Sequence, residues 1–131
     1  MSAIDEVKAK LAGHPELKYD AGDDWITVYP KSAEGFAITL VARRGGEYGV
    51  SFGGWREYFK SDREAFNCVA FGLSTACRLK VHRRGGRECK WTVEALDNGN
   101  WTEDSTTGLF FFPFWMKEEV EYYQNDVIVV D

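Results

Sequence analysis

A chain of 131 residues with 16 basic and 21 acidic residues, net charge −5, and 15% aromatic content can bury a core without metal or disulfide staples. That composition excludes a disordered chain, and no apolar run approaches the roughly 18 residues of a membrane span. The acidic balance also weighs against a sequence-independent nucleic-acid binder, which would carry more positive charge.

Ser2 followed by Asp5 predicts a helix cap, and Ile4, Val7 and Leu11 share one face of the helix that Gly13 and Pro15 end. Asp20 to Asp24 is a turn, and Trp25 to Tyr29 is a strand ending at Pro30. Arg44-Gly45-Gly46 then closes a hairpin that sets Ala42 opposite Tyr48, Leu40 opposite Val50 and Ile38 opposite Phe52. The same register pairs Arg43 with Glu47 and Thr39 with Ser51, so both faces agree.

Ser61-Asp62-Arg63-Glu64 is a capping box, and Phe66, Val69, Ala70 and Leu73 recur at helical spacing behind it. Gly72 inside that helix costs about 1 kcal/mol relative to Ala, which marks a close approach to the sheet or an early helix end. Cys77, Leu79 and Val81 alternate with Arg78, Lys80 and His82 as an amphipathic strand. Arg84-Gly85-Gly86 repeats the earlier Arg44-Gly45-Gly46 turn chemistry and closes a second hairpin onto Cys89, Trp91, Val93 and Ala95. A third turn at Asp97-Asn98-Gly99 sets Ala95 opposite Trp101.

Residues 107–112 read as a strand apolar on both faces, stopped by Pro113. Such a strand needs cover from helices, from the C-terminal segment, from a second subunit or from a ligand. Residues 117–124 lean towards strand, and Val127 to Val130 would add an edge. The whole reads as one α+β domain over residues 1–131. Its architecture is a single mainly antiparallel sheet of about six to seven strands built from hairpins, with two main helices packed on it.

No sequence pattern assigns a catalytic residue, a metal ligand or a cofactor. His14 and His82 stand outside any metal or nucleophile motif, though dispersed catalytic groups would leave no motif at all. Cys68, Cys77 and Cys89 are odd in number and wrongly spaced for a disulfide framework or zinc knuckle, so they read as reduced core residues. Residues 1–6 are acidic without an apolar h-region, which predicts no signal peptide and a cytoplasmic protein.

Two places invite a functional reading. Residues 78–90 hold six cations and only Glu88, a local +5 that leaves −10 for the remainder. That strand face is either paired internally, with Glu94, Glu103 or the Glu118-Glu119-Glu121 group, or it is an anion or partner surface made by Arg78, Lys80, His82 and Arg84. The second place follows Gly53-Gly54, where Trp55, Arg56 and Tyr58 are residue types of binding hot spots. Together with Trp101 and Trp115 they would line an aromatic pocket with Arg56 at its mouth, suited to a small aromatic or apolar anion. The bland alternative is that Trp55 plugs the core.

The expected function is a small non-catalytic binding or protein-interaction domain, with a protein partner or a homodimer as its form. The alternative is a small-ligand-binding domain or simple enzyme using the aromatic pocket.

Overall fold

The computed structural model describes residues 2–130. It corrects the expectation of one sheet: nine strands form two separate antiparallel sheets, of five and four strands, with two helices. The first sheet runs β1 (Tyr19–Ala21), β2 (Trp25–Val28), β3 (Ile38–Ala42), β4 (Tyr48–Phe52) and β5 (Trp55–Phe59) as a simple meander. The β3–β4 hairpin has the register that the sequence predicts, from Ile38 opposite Phe52 to Ala42 opposite Tyr48. The unexpected member is β5. Gly53, at φ +59°, turns the chain straight back so that Phe52 faces Trp55, and residues to which the sequence assigns no element become an edge strand.

Helix α1 (Ala3–Leu11) is capped by the Ser2 hydroxyl, which accepts from the Asp5 amide at 3.2 Å, and it buries Ala3, Ile4, Val7 and Leu11. Helix α2 (Asp62–Leu73) starts from the expected box, with Ser61 Oγ accepting from the Glu64 amide at 3.1 Å. Its buried stripe is Ala65, Val69, Gly72 and Leu73. Gly72 is there for space: a Cβ at that position would lie 2.5 Å from the Phe52 ring.

Beyond α2 the chain starts a new sheet instead of rejoining the first. Strands β6 (Cys77–Arg84), β7 (Arg87–Asp97), β8 (Asn100–Gly108) and β9 (Glu118–Tyr123) lie in the order β8-β7-β6-β9. Three hairpin-linked strands with a fourth returning beside the first make a Greek key. The β6–β7 register matches expectation, with Leu79 opposite Val93, but the third turn is one residue off: Trp101 faces Leu96, not Ala95. Residues 117–124 do form a strand, paired with β6.

The two-faced strand over residues 107–112 does not exist. β8 ends at Gly108, and the next nine residues run as an irregular connection from one sheet edge to the other. The C-terminal stretch makes only one parallel bridge, Ile128 with Ser74, and half-buries Val127 and Ile128 against the core.

One apolar cluster joins both sheets and both helices, from Ile4 and Val7 through Phe52 and Trp55 to Leu79, Val81 and Val93. Trp55 is the joint. It stacks on Phe52 with ring centroids 4.6 Å apart, and its indole N–H donates to Ser105 Oγ at 2.8 Å on β8. Beside it the Arg56 amide donates to Thr107 Oγ1 at 3.2 Å. Asn125 is a second staple: its buried amide accepts from Phe36 N–H and donates to the carbonyls of Phe36 and Gly72.

Candidate functional site

The Greek-key connection of residues 109–117 crosses the turn end of the β6–β7 hairpin. Its backbone is pinned there. The Leu109 amide donates to the Cys89 carbonyl at 2.9 Å, and the Met116 amide closes a turn onto the Pro113 carbonyl at 3.0 Å. Arg84, the last residue of β6, reaches over it. One guanidinium nitrogen donates to the carbonyls of Phe114 (3.3 Å) and Met116 (2.9 Å), and the other to the Glu118 carboxylate (3.2 Å). Gly85, at φ +60°, makes the hairpin turn beneath the loop, and the Met116 thioether lies over it.

While the backbone is held, the side chains face outward. Phe110 is 90% exposed, Phe111 84%, Trp115 74% and Phe114 71%; Leu109, Phe112 and Met116 are about half as open. Phe110 packs edge-on against Phe111 and Phe114 against Trp115. The curve of the loop encloses a hollow of about 510 Å³ whose one charged wall is Arg87. Scattered apolar residues on a surface are ordinary, but a contiguous patch of this size is not.

The other candidate residues fall in three separate places. Trp55 is buried in the joint between the sheets, while Arg56 and Tyr58 are exposed on β5, where the Arg43 guanidinium lies 4.6 Å over the Tyr58 ring. The cleft that Trp55 does line, about 410 Å³ between β5, α2 and the second sheet, is rimmed by Glu57, Glu64 and Asp104, carboxylates where an arginine was expected. Trp101 stands on the outer face of the second sheet, and Trp115 belongs to the exposed connection.

The basic strand face is laced to carboxylates. Arg78 Nε donates to Glu94 at 2.5 Å, and its guanidinium is sandwiched 4.4 Å from the Trp101 ring and 4.2 Å from Tyr122. Lys80 lies 3.6 Å from Glu103, Arg83 bridges Glu88 and Glu121, and Arg84 pairs with Glu118. Three of these acids, Glu118, Glu121 and Glu88, are supplied by β9 and the hairpin end.

His82 is buried in the same face with neither ring nitrogen in a hydrogen bond, although Glu118 Oε2 lies 3.5 Å from Nδ1. Burial and then the Lys90 cation hold its pKa below the ordinary 6.5, with Glu118 pulling the other way. A depressed histidine contributes stability above the unfolded value and loses it as pH falls through the folded one. We therefore expect the wild type to lose stability on acidification below about pH 6.5, at no more than roughly 1.4 kcal/mol per pH unit for one proton. A His82→Leu variant should show a flatter profile across that window in urea titrations. Equal slopes would remove His82 as the cause.

The three cysteines are free thiols, and burial first, then Glu57 and Asp104, pushes Cys68 up to about 12. Burial likewise raises Cys77, so neither is a thiolate at neutral pH. No cluster of metal-ligating side chains occurs among the described residues, and no helix among them is long and apolar enough to cross a membrane. No family model, curated protein or solved structure matches the chain, so its function rests on the geometry alone.

Proposed function

We propose that this chain is a non-catalytic interaction domain that docks through the 109–116 connection. The observation that carries the reading is the contrast within that segment. Its backbone is fixed by Arg84 and the hairpin end, yet its four most exposed aromatics are more than two-thirds open to water. Ordering a loop costs about 1–2 kcal/mol per residue, and a loop already ordered spares its partner that cost on binding. Phenylalanine and tryptophan are also the side chains with the largest contact area at interfaces.

A site-specific photo-crosslinker tests this in producing cells. Benzoyl-phenylalanine in place of Phe111 should give adducts of discrete mass, whereas the same group in place of Val41, also exposed but on the first sheet, should give none. No adduct at position 111 would end the interaction reading.

A second reading is favoured by Arg87. Among the described residues it has no carboxylate within ion-pair distance, and it faces the aromatic hollow. A small aromatic or alkyl anion would fit there. Native mass spectrometry separates the two, because a bound acid adds a few hundred daltons that vanish on denaturation.

A further inference from the structure

Resting on that docking reading, we propose that the occupant of the 109–116 surface is a second copy of this chain, related by a two-fold axis. Three observations point to it.

The first is area. A fully open aromatic side chain presents about 150–250 Å². Two nearly open phenylalanines, two aromatics open by about three-quarters and three half-open apolar residues therefore expose on the order of 800 Å² of apolar surface. That equals the share of one partner in a standard interface, about 800 Å².

The second is charge. Around the hairpin end stand Arg83, Arg84, Arg87, Lys90 and Lys117 against Glu88, Glu118, Glu119 and Glu121. Five cations against four carboxylates leave +1 there and −6 for the rest of a chain whose total is −5. Two copies of an acidic protein meet with least repulsion at this end. An anionic membrane surface would be drawn to a cluster of 4–8 basic residues and not to a balanced rim.

The third is the residues left over. Arg87, Lys90, Lys117 and Glu119 have no ion-pair partner among the described residues, although Arg84 and Arg83 beside them are paired. Unpaired charges of both signs, three cations and one carboxylate, thus stand around an apolar centre. A two-fold contact places the cation of one copy against the anion of the other.

Sedimentation velocity on the full chain from about 0.1 to 100 μM, a range spanning typical dimer affinities, tests the proposal. The expected result is a transition from one mass of 14.9 kDa to twice that, stopping at two. Phe110→Asp with Phe111→Asp should weaken dimerisation by at least about 100-fold, since each copy loses two central anchors. Both residues are nearly fully exposed, so the melting temperature of the variant monomer should be unchanged. Arg87→Glu should weaken the dimer, and Arg87→Glu with Glu119→Arg should recover part of the loss.

A wild type monomeric at 100 μM, or assembly continuing past two, overturns the proposal. So does flotation of the wild type with phosphatidylserine vesicles through the same two phenylalanines. If crosslinks form at position 111 but never at twice the chain mass, the docking reading stands and the second copy is ruled out.

Discussion

Trp55→Ala is expected to cost about 3–5 kcal/mol of folding stability, the range for truncating a buried tryptophan. The residue is only 2% exposed; its ring stacks on Phe52 within the first sheet, and its indole hydrogen bond to Ser105 ties that sheet to the second. Trp55→Phe separates these contributions. It keeps a ring against Phe52 but removes the donor to Ser105, and should cost about 1–2 kcal/mol. Urea titrations followed by far-ultraviolet circular dichroism would give both numbers. A Trp55→Ala loss below about 1 kcal/mol would mean that the sheets do not depend on this joint. The same variant bears on the aromatic-pocket idea. A ligand-binding defect in it would have to be separated from the loss of the fold that the buried ring supports.

What could be read from the sequence follows what is local. Hairpin registers were legible where two constraints coincide: Leu40 and Val50 demand one face while Arg43 and Glu47 demand the other, and only one alignment meets both. The cap at Ser61 was legible for the same reason, since it is a rule about a few neighbouring residues, whereas Gly72 left open a close approach or an early helix end, and its contact with Phe52, twenty residues away, decides for the approach.

The partition into two sheets was not legible. Nothing in residues 74–84 says whether β6 will pair with β5 or begin afresh; that depends on where α2 delivers the chain and on the indole bond from Trp55 to Ser105, fifty residues away. The error over residues 107–112 has a sharper cause. Apolar content on both faces implies a buried strand only if the segment is a strand, and this one must cross the end of a hairpin to reach β6. Pro113 is a visible sign of irregularity in the sequence, and it stands in the middle of the connection and not at the end of a strand.

The candidate site was legible in composition and illegible in geometry. The unusual stretch stands out in the sequence, but the residue that holds it, Arg84, shows there only as part of a basic face, either paired with acids or open to an anion or partner. Its hydrogen bonds to the carbonyls of Phe114 and Met116 span about thirty residues of sequence and follow from no motif. Asn125, which ties the Phe36 segment to α2, left no signal either: a lone Asn after a strand looks like any loop residue.

Arg78→Ala is expected to cost about 3 kcal/mol, because it strands a buried carboxylate. Glu94 is 7% exposed at its side chain and Arg78 25%, so the loss should fall at the low end of the 3–5 kcal/mol for breaking a buried pair. Part of that cost is the loss of two aromatic contacts, with Trp101 and Tyr122, each worth about 0.5–1 kcal/mol where partly exposed. Arg78→Lys keeps the charge but not the planar group that lies between the rings, so it should recover only part of the stability. Arg78→Met with Glu94→Leu should recover most of it, since an apolar pair of similar volume leaves no buried charge behind. If the double variant is as unstable as Arg78→Ala, the stranded carboxylate is not the cause and the aromatic sandwich is. Inorganic phosphate adds an independent check on the anion-surface reading. A guanidinium engaged by Glu94 and two rings has little left to offer an external anion, so tens of millimolar phosphate should leave the wild-type midpoint where sulfate-free, ionic-strength-matched chloride puts it. A phosphate-specific rise in stability that Arg78→Lys abolishes would instead make this face a binding surface.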